Sequence, residues 1–164
     1  MCVTDQSDGE VTMKPVLALL VALAMVGCTM PPTTVATPRA SMSVNASFDR
    51  TWNAVIDVFA EQNIPIATME KVSGFIVADV QFVGADAKQA AEWADCGTSM
   101  GYANTPTAGK YNVLVRGVDD HTSTVRVTAT WAGGGLYQCV TKGVWETDFE
   151  KSIKGRAEAS PASK

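Results

Sequence analysis

The sequence predicts an α+β fold, an antiparallel sheet of about five or six strands with two helices packed on one face. Three observations lead there. Apolar and polar residues alternate at period two on either side of an Asp119-Asp120-His121 turn, with Tyr111, Val113 and Val115 before it and Val125, Val127, Ala129 and Trp131 after it. Two other segments switch to helical spacing. The elements follow in the order strand, helix, strand, strand, irregular crossover, strand, strand, strand, helix. Two amphipathic helices cannot bury their apolar stripes against each other and also shield a sheet from both sides. Both are therefore expected on one face, leaving the other to threonine and arginine.

In chain order, Met42, Val44 and Ala46 alternate with Ser41, Ser43 and Asn45 as a short strand does. Ser47 is a helix cap, and from Phe48 onward Trp52, Val55, Ile56 and Phe59 share one side, with Asp49 suited to the positive amino end. Asn63 accommodates the left-handed conformation that ends helices and Pro65 forbids continuation, which sets the stop near Gln62. Ile64 to Lys71 and Phe75 to Phe82 read as a hairpin around Ser73-Gly74. From Gly84 to Gly109 the pattern is irregular: a short helix at Asp86 to Ala94, then Cys96, then a loop containing Gly97, Gly101, Pro106 and Gly109. Loops of this length inside small domains are often functional. Arg116 and Arg126 fall on the solvated side of the next strand pair. Gly133-Gly134-Gly135 turns the chain into a further strand, Leu136 to Thr141, carrying Cys139. A last helix from Val144 sets Trp145, Phe149 and Ile153 four apart, places Glu146 and Asp148 at a solvated start, and puts Glu150 before Lys154 in the favourable order. Residues after Gly155 are expected to fray. One α+β domain over 42–157 is thus followed by a disordered tail over 158–164.

The first 41 residues read differently. An uninterrupted apolar run from Val16 to Val26 follows Lys14 and ends in Met25-Val26-Gly27-Cys28. It is about half of the roughly 20 residues a bilayer crossing needs. A basic residue, a short apolar stretch, small residues and then cysteine resemble the precursors of bacterial lipoproteins over Met13 to Cys28, with Met25 where leucine is usual. The resemblance implies that residues 1–27 are a signal peptide and that Cys28 becomes the first mature residue, carrying diacylglycerol and palmitate. Residues 1–12 place Asp5, Asp8 and Glu10 where export favours positive charge, so they read as an extension upstream of a start at Met13. Thr29 stands where the class uses aspartate to retain proteins at the inner membrane, which implies an outer-membrane anchor with the domain in the periplasm. Residues 28–41 hold Pro31, Pro32 and Pro38 among threonines without apolar periodicity. They read as a lipidated tether, reaching roughly 40 Å at about 3.1 Å per residue.

Removing residues 1–27 takes three of the 17 acidic side chains and one of the 13 basic ones, leaving a net charge of −2. Such a chain has no basic cluster with which to neutralise phosphates, which argues against nucleic acid as a partner. It has no electrostatic pull towards anionic lipid either, so membrane attachment falls to the acyl chains. Of four cysteines, Cys2 would leave with the signal and Cys28 would carry lipid, so Cys96 and Cys139 remain. In an oxidising envelope their pairing is worth roughly 4 kcal/mol on the loop-entropy estimate. The rival is a thiolate or metal pair, but neither cysteine lies in a Cys-x-x-Cys and the single histidine sits in a turn. No metal and no cofactor is expected.

Every enzyme template leaves a gap. A serine or cysteine nucleophile would need His121 as base, and an exposed turn histidine lacks the positioning that base catalysis requires. Asp119 and Asp120 suit a turn better than a carboxylate pair or a calcium site. The triple glycine precedes a strand, not a helix, so no helix-end phosphate site forms there. Trp52, Trp131 and Trp145 fit core positions. Trp93 is the odd one: with Asp95, Tyr102 and Asn104 it is a candidate partner or ligand surface, the alternative being packing over the disulfide. A second resemblance, from Ser47-Phe48-Asp49-Arg50-Thr51-Trp52 and Ser73-Gly74-Phe75-Ile76-Val77-Ala78, is to small envelope lipoprotein modules such as those of the C component of the outer-membrane β-barrel assembly machine, over Val44 to Val83. It implies a non-enzymatic interaction or assembly module with an envelope protein as partner. The alternative is a periplasmic ligand-binding or hydrolase-inhibitor lipoprotein.

Overall fold

The computed structural model describes residues 29–133 and 138–159. The proposed signal peptide, the lipidation site Cys28, Gly134 and Gly135 of the predicted glycine turn, Leu136 and Tyr137 of the predicted last strand, and residues 160–164 of the predicted tail lie outside the described residues.

The fold is α+β. Among the described residues, three helices accompany ten strands in three antiparallel sheets, the largest of five strands. The strands are β1 (Thr29–Met30), β2 (Met42–Val44), β3 (Ile66–Glu70), β4 (Phe75–Gln81), β5 (Ala94–Asp95), β6 (Thr98–Ser99), β7 (Tyr102–Ala103), β8 (Pro106–Gly117), β9 (Ser123–Gly133) and β10 (Val140–Thr141). The helices are α1 (Phe48–Glu61), α2 (Ala85–Trp93) and α3 (Val144–Glu158). The large sheet runs β2-β9-β8-β4-β3, and two small ribbons, β1-β6-β7 and β10-β5, are separate sheets.

Helix α1 starts and stops where its residues dictate. The Ser47 hydroxyl accepts from the Arg50 N–H, Asp49 occupies the first turn, and Asn63 takes φ of 53° just past the end. Thr51, Trp52, Ala54, Val55, Val58 and Phe59 are buried from it. Along β8 and β9 the period-two pattern becomes burial: Tyr111, Val113 and Val115 face Ala129, Val127 and Val125 in register, and all six are buried. Helix α1 packs on α3, β8 and β9, and α3 on β9 and β2. Trp145, Phe149, Ile153 and Ala157 are the buried apolar side chains of α3, and Tyr111 stacks on Trp145 with ring centroids 3.8 Å apart. Trp52, Trp131 and Trp145 are core residues, as their spacing predicts.

Three features differ from the sequence reading. Glu146, expected at a solvated helix start, and Glu150, expected to precede Lys154 as its ion-pair partner, are 0% and 2% exposed. Glu150 pairs with Arg39, not Lys154, while Lys154 bonds Glu158. Second, α3 continues past Gly155 to Glu158, because Ala157 is buried and the Glu158 carboxylate accepts the Asn45 N–H at 2.7 Å. Third, residues 29–41 are not a free spacer but a strap laid on the domain. They pair at Thr29↔Ser99 and Met30↔Thr98, bond Asp95 through Thr33 and Thr34, and pair with Glu150 through Arg39. The predicted strand Leu136 to Thr141 contributes Val140–Thr141 as β10 among the described residues.

Candidate functional site

The four residues proposed as a surface come together around Cys96, yet three of them bond or pack inward. Cys96 and Cys139 form a disulfide that ties the turn after α2 to the chain leading into β10. It lies against the end of β9, where Trp131 bridges Cys139 and a Cβ on Gly133 would sit 2.5 Å from the Cys139 sulfur. Trp93 is half-buried in an aromatic cluster with Phe82 and Trp131, at centroid distances of 6.4 and 6.0 Å, so it packs beside the bridge. Asn104 latches the turn: its amide donates to the Cys96 carbonyl at 3.2 Å and its N–H to that of Gly97 at 2.9 Å.

Asp95 is the most heavily bonded carboxylate of the lobe. Its Oδ1 accepts the Gly97 N–H at 2.9 Å, and its Oδ2 accepts the N–H and hydroxyl groups of both Thr33 and Thr34 at 2.8 to 3.3 Å. The Gly97 bond, followed by those from Thr34 and Thr33, outweighs desolvation and holds the carboxyl well below the usual aspartate range. Asp95 is therefore the clamp for the strap. Only Tyr102 of the four stands free, exposed on the hairpin of β6 and β7.

The buried carboxylates that sequence reasoning missed are in α3. Glu150 Oε1 accepts the Val127 N–H at 2.8 Å and Oε2 takes Arg39 Nη2, while Arg39 Nη1 donates to the Gly143 carbonyl at 3.1 Å and the Thr147 hydroxyl at 2.9 Å. Glu146 Oε1 accepts from the Thr141 hydroxyl at 2.7 Å, and its other oxygen has no partner among the described residues. Burial, and then the Glu146 charge, pushes the Tyr111 hydroxyl far above the ordinary tyrosine range. A polar signal was present in the sequence, since Glu146 and Glu150 share the i,i+3/i+4 face of Trp145, Phe149 and Ile153.

His121 is exposed on its turn, where its N–H donates to Asp119 at 2.8 Å. That bond is the main cause of the lowered pKa of Asp119. Among the described residues no group of three or more His, Cys, Asp or Glu is placed to hold a metal, and no helix is long and apolar enough to cross a membrane.

Two surfaces remain. An open groove of about 1010 Å³ lies beside the disulfide, between the end of β9 and β10, with Trp131, Gly133 and Cys139 in its wall. On the large sheet, Phe75, Val77 and Leu114 are partly exposed and adjacent, Phe75 being paired with Leu114 and Val77 with Asn112. Glu70, Arg126, Arg116, Lys110 and Asp79 surround them in the neighbouring register positions. No protein-family model matches this chain, and no curated protein matches it.

Proposed function

We propose that this chain is a non-enzymatic lipoprotein of the bacterial envelope, anchored in the outer membrane through Cys28, whose domain acts in the periplasm as an interaction or assembly module. In this reading both long helices cover the same face of the large sheet and the opposite face meets the partner. The observation that carries the reading is the make-up of that second face. Phe75, Val77 and Leu114 form an apolar centre and Glu70, Asp79, Lys110, Arg116 and Arg126 a charged rim, the arrangement of a protein interface rather than of a plain solvated sheet. The anchor is supported by the run into Cys28 and by a strap that brings Thr29 onto the domain. The groove beside the disulfide favours a second reading, periplasmic ligand binding or hydrolase inhibition. An open groove buries less of a small molecule than an enclosed pocket does, so that reading ranks behind the first.

Photo-crosslinking in intact cells tests the proposal. A photoreactive residue replaces Leu114 in the full chain, with Asp148, exposed on α3, as the control position. One stoichiometric envelope protein captured from Leu114 and not from Asp148 supports the reading. No adduct at Leu114, or the same products from both positions, refutes it. The mass of the mature N-terminal peptide reports separately on Cys28.

A further inference from the structure

The described chain begins in the ribbon β1-β6-β7. Met30, Met100 and Tyr102 are 52%, 73% and 79% exposed on it. Residues 29–38 and 96–109 contain no charged side chain, and Asp95, the last residue of β5, is engaged by Thr33, Thr34 and Gly97. The ribbon is thus uncharged and carries three exposed large side chains, Met30, Met100 and Tyr102, which marks a surface suited to meet something other than water.

Its tip also breaks a local rule. Ser99 pairs with Tyr102 across a two-residue turn in which Met100 and Gly101 have φ of 52° and 81°. Turns with two positive φ values favour Asn, Asp or Gly in the first place, because a larger side chain there is strained. Methionine gives up turn stability and gains no packing in return, since most of it is in solvent. A departure from local preference that packing does not repay points to function.

The register supplies the occupant. Thr29 lies opposite Ser99, and Met100 follows directly at the tip, so the amino end of β1 lies at this end of the ribbon. Resting on the lipid anchor proposed above, we infer that the ribbon tip is a membrane-docking surface: Met100, Tyr102 and Met30 enter the headgroup boundary of the leaflet that holds the acyl chains. Tyr102 shares a face with Thr29 and Ser99, and Met30 shares the other with Thr98 and Ala103, so the ribbon enters edge-on with an apolar side chain on each side. Tyrosine suits that depth, its ring among acyl carbons and its hydroxyl among headgroups. The half-exposed hydroxyls of Thr29, Thr98 and Ser99 supply further headgroup bonds. The domain then stands on the bilayer instead of hanging from it.

The test uses the full mature chain purified from the envelope, with Tyr102→Cys labelled by a fluorophore, in vesicles of phosphatidylethanolamine and phosphatidylglycerol carrying a lipid with a nitroxide near its headgroup. Val72→Cys is the control, fully exposed in the β3–β4 turn, at the end of the sheet where Phe75 pairs with Leu114, far along β8 from Pro106. With the acyl mass present on Cys28, the Tyr102 label is expected to be quenched about twofold more than the Val72 label, as a side chain in the headgroup boundary is. Met100→Asn suits the turn, so it should keep or raise the melting temperature while lowering that quenching. Equal quenching at both positions, or none, with the acyl mass present overturns membrane docking and leaves the anchor standing. The same result with a protein crosslinked to the tip assigns the ribbon to a protein partner and overturns the inference too. A fall in melting temperature parallel to lost quenching in Met100→Asn gives the tip a folding role, with the same consequence. An unmodified Cys28 overturns the anchor and the inference together.

Discussion

Removing the Arg39 guanidinium tests how the strap is held. Glu150 is buried, and its two oxygens have one partner each: the Val127 N–H and Arg39. The Val127 N–H lies where β9 has run beyond β2, whose last partner towards this end is Val125, so the carboxylate stands in for a missing strand. Arg39→Met keeps much of the apolar stem and leaves a buried charge without its cation. Breaking one side of a buried pair costs about 3–5 kcal/mol, and the 20% exposure of the Arg39 side chain places this case near the lower end, about 3 kcal/mol. At about 4 °C per kcal/mol for a domain of this size, the melting temperature falls by about 12 °C. Glu150→Gln in the same chain removes the charge and keeps an oxygen for Val127, so the double variant should recover to within about 1–2 kcal/mol of the parent. Thermal unfolding of the four members of the cycle measures the coupling, and hydrogen exchange at Thr33 and Thr34 reports whether the strap lifts. A loss below about 1 kcal/mol in Arg39→Met, or a coupling below about 0.5 kcal/mol, would refute the pair as the lock.

Gly133→Ala places a methyl group 2.5 Å from the Cys139 sulfur and 3.0 Å from that of Cys96. It should destabilise by about 1–3 kcal/mol through overpacking and raise the free-thiol titre, both absent if the bridge can shift. Thr51→Val removes the partner of the buried Ser123 hydroxyl, 2.7 Å away, and should cost about 1–3 kcal/mol in chemical denaturation, with Thr51→Ser near neutral. Asp95 contributes stability above its unfolded pKa, about 3.9, because its folded pKa is depressed, and loses it as pH falls from there towards the folded value. Asp95→Asn should therefore lower the melting temperature at neutral pH and narrow the gap to the parent on acidification below about pH 4; parallel curves would count against the clamp.

What could be read from the chain depended on range. Helix α1 carries its own start in Ser47, its own stop in Asn63 and Pro65, and an apolar side between them, so its limits follow from neighbours a few residues apart. The β8–β9 pair is equally legible, because alternation runs through both strands and their register buries one side. The two-residue strands β1, β5, β6, β7 and β10 are too short to express any period. Glu150 was misread because apolar periodicity takes a carboxylate for solvated surface, and its cation lies 111 residues away in a segment that looked unstructured. Asp95 and Asn104 were singled out for the right neighbourhood, but their polar atoms are consumed by Thr33, Thr34, Gly97 and Cys96.

Those long-range polar contacts change what residues 29–41 do. Proline and threonine without apolar periodicity make a poor element of secondary structure, yet they leave a backbone whose N–H groups and hydroxyls are free to be captured. Asp95 captures those of Thr33 and Thr34, β6 pairs with Thr29 and Met30, and Glu150 holds Arg39. A spacer extended at about 3.1 Å per residue would set only the reach of the domain. A strap fastened at three separated points sets its orientation, because the entry point at Thr29, the ribbon tip and the large sheet are then parts of one packed body. The number of residues between Cys28 and Ser41 thus matters for the register of three attachments, and an inserted residue between Thr34 and Arg39 strains or frees one of them without lengthening the reach.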